Sequence, residues 1–181
     1  MVLDESRDDD LLTGDRIRAL LVELGDELAQ LGESGELFLV GGAALALGYE
    51  AREATRDVDA LFEPKTVIHQ AAVRISERHG MRSDWLNDAM KGFLHGEDAD
   101  RRVVLEHPAL RVFVASPTYL LAMKLLSARV ERDAADIALL LDLAGITRVE
   151  DALDVVESAY GRDRVPVKTA LLVEAILAGE P

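Results

Sequence analysis

The stretch Leu39-Val40-Gly41-Gly42-Ala43-Ala44-Leu45, followed after a short interval by Thr55-Arg56-Asp57-Val58-Asp59, decides how the rest of the chain is read. Glu36 to Val40 is a short apolar run between Gly35 and Gly41-Gly42, which predicts a strand, and Ala43 to Leu47 predicts the start of a short helix. At a strand, double-glycine, helix junction the backbone is bare and the first helical N–H groups are unpaired, so a phosphate can approach closely. Asp57 to Phe62 predicts a second strand, closed by Pro64. Residues two apart on a strand share a face, which sets the Asp57 and Asp59 carboxylates side by side. Two such anions repel unless a cation lies between them, and oxygen-only donors suit Mg²⁺ or Mn²⁺. A calcium loop starting at Asp57 is a poor alternative, because Leu61 and Phe62 stand where it needs an oxygen ligand and a glycine. Singly, a double glycine is more often a tight turn and an Asp-x-Asp a solvated strand end. The ordered combination is what carries weight.

Outward from that stretch, Thr13 caps a helix in which Ile17, Leu20, Leu21, Leu24, Leu28 and Leu31 form one apolar stripe. Thr66 to His79 suits an outer helix ended by Gly80. Trp85 to Met90 is ambiguous, and Gly92 to Asp100 is a polar loop. Arg101 to Leu105 and Leu110 to Ala115 predict two antiparallel strands. Ser116-Pro117 then opens a helical last third: Tyr119 to Ala128, Asp133 to Ala144, a segment opened by a Thr147/Glu150 capping box, and Val167 to Ala178. The expected organisation is an acidic flexible tail over 1–12, an α/β core over 13–116 with a mixed sheet, and a helical part over 117–181 packed on that core as a single compact unit.

The 181 residues at 19.7 kDa suffice for a proper core but are a squeeze for two full domains. A hydrophobic fraction of 49% with 30% charged residues excludes a largely disordered chain. No apolar run reaches the roughly 18 residues of a membrane span, and the acidic N-terminus lacks the features of a secretory signal. A cytoplasmic location is the expectation. The absence of cysteine rules out disulfides, thiolate chemistry and cysteine-bound zinc, and His69, His79, His95 and His107 show no short metal-ligand spacing. The net charge of −14 argues against coating nucleic acid non-specifically. Only 101–132 is locally basic, with Arg101, Arg102, Arg111, Lys124, Arg129 and Arg132 against Glu106 and Glu131, and an anion could find a home there. Lys124 stands among Leu120, Leu121, Met123, Leu125 and Leu126, so it must snorkel or meet an anion. Arg129 with Asp133 and Arg132 with Asp136 are spaced as surface ion pairs worth about 0.3–0.5 kcal/mol each.

The combination of Val40-Gly41-Gly42 with Asp57-Val58-Asp59 resembles the signature of the nucleotidyltransferase superfamily: an apolar residue, a Gly-Gly or Gly-Ser pair, then an acid-apolar-acid strand. Within it the sequence is most similar to the AbiEii/MenT group of toxin nucleotidyltransferases and their uncharacterised relatives. Arg52 and Thr55 before the Asp-Val-Asp, the run Ser116-Pro117-Thr118-Tyr119-Leu120-Leu121-Ala122-Met123-Lys124, and Arg129 to Asp136 resemble that group's further motifs, so the resemblance spans about 36 to 143. It implies an α/β (α+β) fold, a mixed sheet flanked by helices with a helical C-terminal part. It also implies transfer of a nucleoside monophosphate from an NTP to an acceptor hydroxyl, with Mg²⁺ (or Mn²⁺) held by Asp57 and Asp59. Gly41, Gly42 and Thr55 would meet the nucleotide phosphates, Lys124 would neutralise them, and Asp133 would orient a metal, the lysine or the acceptor. The group further implies a tRNA 3′ end as acceptor and a partner antitoxin. Its classical relatives carry a third carboxylate on a later strand, but Leu110 to Ala115 contains none, and Glu106, Asp133 and Asp136 stay open as substitutes. Two other readings share the site: a binding module without turnover in a toxin-antitoxin pair, and nucleotide transfer to a protein or small molecule.

Overall fold

A computed structural model describes residues 11–93, 95–127 and 130–179. Alternation of apolar side chains builds its sheet. Strand β1 is Leu12–Thr13, helix α1 Gly14–Gln30, β2 Gly35–Leu39, the short helix α2 Gly41–Ala43, β3 Ala54–Thr55, β4 Val58–Glu63, α3 Lys65–His79, β5 Leu86–Asn87, β6 Arg102–His107 and β7 Leu110–Val114. Five strands form a mixed sheet in the order β5-β4-β2-β7-β6, while β1 and β3 form a separate antiparallel ribbon. Central β2 runs antiparallel to β4 and parallel to β7. The register pairs Leu37 with Phe62 and Val112, and Leu39 with Ala60 and Val114, so these buried side chains line up on one face. Helices α1 and α3 cover that face with Ile17, Leu20, Leu24 and Leu28 and with Ile68, Ala72 and Ile75, each at most 1% exposed. The period-2 rule then sends Asp59 and Leu61 to the opposite face.

This sheet unit comprises residues 1–92 and 101–115; residues 93–100 and 116–181 form a second, helical unit. In the helical unit, α4 (Pro117–Ser127), α5 (Val130–Leu143), α6 (Val149–Tyr160) and α7 (Val167–Leu177) pack through Leu121, Leu125, Ile137, Leu140, Ala152, Val156 and Val173. Buried Thr169 donates its hydroxyl to the Leu125 carbonyl at 3.1 Å. Ser116 caps α4 as expected, its Oγ accepting from the Tyr119 N–H at 3.2 Å. Among the described residues no helix is long and apolar enough to cross a membrane.

The mixed sheet flanked by helices agrees with the sequence reading, and several boundaries differ for local reasons. Residues 1–10 of the expected tail lie outside the described residues, but Leu12 is only 4% exposed and pairs with Thr55. Arg56 and Asp57 form a bend, so the second strand starts at Val58 rather than Asp57. The Thr147/Glu150 capping box does not form: α6 starts at Val149 with Arg148 in the cap position, one residue too late for Thr147 to serve as the cap, and Glu150 pairs with Arg148 instead. The helix expected from Ala43 is α2 continued by a wider π-turn over Ala44–Gly48. Ala128, the expected last residue of α4, lies outside the described residues.

Candidate active site

The turn after β2 is built by contact with β4. The Val40 N–H bonds the Asp59 carbonyl at 3.0 Å, holding the end of β2 beside the acidic segment. Gly41 has φ +60, a backbone setting that favours glycine, and a Cβ there would stand 3.2 Å from Asp59 Oδ2. At Gly42 the constraint is space: a Cβ would lie 2.6 Å from Thr55 Oγ1 and 3.1 Å from an Arg52 guanidinium nitrogen. The two glycines are therefore the points where a carboxylate, a hydroxyl and a guanidinium occupy the space a side chain would take.

Asp57 and Asp59 flank fully buried Val58 and are themselves partly exposed. Burial first, and the neighbouring Asp57 charge second, push the Asp59 carboxyl from 3.8 up to about 6, opposed by a hydrogen bond from Asn87. Asn87 pairs with Asp59 across the β4/β5 edge, and its Nδ2 is 3.4 Å from Asp57 Oδ2. Among the described residues no basic side chain pairs with either carboxylate. Two hard oxygen donors, crowded and short of positive charge, fit Mg²⁺ or Mn²⁺. No cluster of three or more acidic or histidine ligands forms among the described residues, so such an ion would complete its shell with water and phosphate oxygens.

The sheet unit places Gly41 beside Asp59 and Gly42 beside Thr55, with Asp57 close by, and adds Arg52 and Asn87, to which the sequence reading gave no role. Arg52 carried a signal, since it belongs to the motif before Asp-Val-Asp; Asn87 carried none, because a two-residue strand shows no periodicity. Glu106 does not join the site. It pairs with Arg111 across the β6–β7 turn, beside the Gly35 end of β2, and β2 spans about 13 Å from there to Leu39.

Lys124 and Asp133 belong to the helical unit, where Lys124 Nζ lies 3.0 Å from both Asp133 Oδ1 and Asp136 Oδ2. The anion required by a lysine in an apolar run is supplied by the next helix. Both aspartates reach Lys124; the expected Arg129–Asp133 and Arg132–Asp136 pairs involve Arg129 and the side chain of Arg132, which lie outside the described residues. Lys124→Met should leave two carboxylates facing each other and lower stability by about 1–3 kcal/mol. Urea denaturation checks this, and an unchanged midpoint would refute it. The other described cations of the locally basic region are also engaged: Arg101 lies over Phe113 at 4.5 Å, Arg102 over Tyr49 at 4.7 Å, and Arg111 on Glu106.

A family model described as nucleotidyltransferase of unknown function (DUF6036) matches residues 19–159, which include the glycine turn and the Asp-Val-Asp segment. Neither a curated protein nor a solved structure matches the chain.

Proposed function

The chain belongs to the DUF6036 nucleotidyltransferases, and from that footing we propose that it moves a nucleoside monophosphate from a metal-bound NTP to an acceptor hydroxyl. The observation that carries this reading is the approach of the Asp59 carboxylate to Gly41, so close that a Cβ there would stand 3.2 Å from Oδ2, beside Asp57 and without a cationic partner among the described residues. Asp57 and Asp59 would hold Mg²⁺ or Mn²⁺. Bound there, the ion would offset charge on the triphosphate and on the attacking and leaving oxygens. The Gly41 and Gly42 N–H groups, the Thr55 hydroxyl and the Arg52 guanidinium surround one short backbone segment and would receive phosphate oxygens. The acceptor oxygen forms a bond to the α-phosphorus, the bond to the β-phosphate oxygen breaks, pyrophosphate leaves, and the hydroxyl proton passes to solvent.

For the acceptor we propose a tRNA 3′ end, with toxicity restrained by an antitoxin, on the resemblance of the motifs to the toxin group. Incubation with each α-labelled NTP, Mg²⁺ and either total tRNA or lysate tests both parts. Label in tRNA supports the whole reading; label only in protein or a small molecule keeps the transfer and overturns the acceptor. Absence of label everywhere would favour a binding module, a reading supported by the lack of an acid on β7 and by the remote place of Glu106.

The reaction should also follow the ionisation of Asp59. In free enzyme, kcat/KM should fall about tenfold per pH unit below about 6, because a protonated carboxyl is a poor metal ligand. Raising Mg²⁺ should move this limb to lower pH, since metal and proton compete for the same oxygens. A profile flat down to pH 4.5 at low Mg²⁺ would contradict the assignment.

A further inference from the structure

The sheet unit holds a cavity of about 370 Å³ lined by Arg16, Arg56, His79 and Arg82, with Leu12 and Trp85 as its apolar part. That volume lies within the usual range of ligand sites. No acidic side chain is among the described residues lining it, although the chain as a whole carries −14. Like-charged guanidinium groups around one hollow repel unless an anion joins them.

The arginines are not neutralised equally. Arg82 is held in a two-point contact with Asp84 at 2.9 and 2.6 Å. Arg16 instead meets His79 Nδ1 at 3.1 Å and Met81 Sδ at 3.8 Å, neither of them a carboxylate. The His79 ring is fixed in turn by Glu23, 2.7 Å from Nε2, which leaves Nδ1 as the acceptor for Arg16. Among the described residues no carboxylate pairs with Arg16 or with Arg56. Two arginines thus line a hollow of ligand size with no carboxylate partner among the described residues, and their planar forks fit phosphate oxygens.

We propose that this cavity is a binding site for a phosphate group, separate from the glycine turn and independent of the activity proposed above. Arg56 lies between Thr55, which touches Gly42, and Asp57, so one three-residue segment serves both places. The phosphate could belong to free pyrophosphate or to a nucleotide, and the two are separable by experiment.

Trp85 is the single tryptophan and lines the cavity, so its fluorescence reports on occupancy. Inorganic phosphate, pyrophosphate and AMP would each be titrated into the full chain in EDTA, with chloride holding ionic strength constant and thermal unfolding followed in parallel. A saturable change is expected for at least one of them, kept in Asp59→Asn and weakened at least tenfold in both Arg16→Ala and Arg56→Ala. Saturation by pyrophosphate but not AMP identifies a free polyphosphate ligand; saturation by AMP identifies a nucleotide. The proposal is overturned if none of the three saturates, if the double Arg16→Ala/Arg56→Ala variant binds as tightly as the parent, or if Asp59→Asn abolishes the response.

Discussion

Asp59→Asn is expected to lower nucleotide transfer by about a thousandfold or more while making the metal-free protein more stable at pH 8. The two effects share one cause. In the folded chain the Asp59 carboxyl titrates near 6, above its ordinary 3.8, through burial and the charge of Asp57. A folded state that binds the proton more tightly than the unfolded state loses stability as pH rises from about 4 through about 6. Above that range the ionised parent bears a strain that asparagine, of the same shape and uncharged, relieves. The thermal midpoint of Asp59→Asn should exceed the parent's at pH 8 and approach it at pH 4. Mg²⁺ should raise the parent's midpoint at pH 8 and leave the variant's unchanged, because it binds a carboxylate pair that the variant lacks. A variant that keeps transfer, or that is less stable than the parent at pH 8, would dismiss the roles given to this carboxylate.

Gly42→Ala is expected to have the second largest effect, on activity and fold together. Its Cβ would stand 2.6 Å from Thr55 Oγ1 and 3.1 Å from Thr55 Cβ. Threonine is β-branched and stiff, and Thr55 is tied into β3 opposite Leu12, so neither side can yield cheaply. Such overpacking costs about 1–3 kcal/mol, and a shift of Thr55 displaces the hydroxyl and the start of the Asp-Val-Asp segment with it. A rise of at least tenfold in KM for NTP is expected beside the lost stability. Thr55→Ala in the Gly42→Ala background should restore part of the stability, because the closest colliding atom is gone, but not the nucleotide affinity. If Gly42→Ala behaves as the parent in both measurements, the close approach has no functional weight.

How much of this was legible in the sequence depended on the length of the pattern. Leu37 and Leu39, closed by two glycines, announced both β2 and its turn, and the stripe from Ile17 to Leu28 announced α1. Strand alternation was the ground for expecting side-by-side acids, but the bend at Arg56 and Asp57 starts the strand at Val58 and leaves Asp57 outside it. Asn87 and the β1–β3 ribbon were beyond reach, because two-residue strands are made by pairing and leave no period to read. Lys124 shows the middle case. Its apolar neighbours required it to snorkel or meet an anion, and packing of α4 on α5 brings Asp133 and Asp136 to it, a contact between two helices that spacing along one helix does not show.

Strand β2 is hydrogen-bonded on both sides, by β4 and by β7, and the bare turn is mounted on its end. Its amides should be among the last in the chain to exchange with deuterium, and unbinding cannot proceed by peeling this strand away. A product leaving the turn must therefore depart from a platform that stays put. On the proposed reading, a slow step would belong to the departing molecule or to segments less firmly laced, such as the Arg56-Asp57 link between β3 and β4.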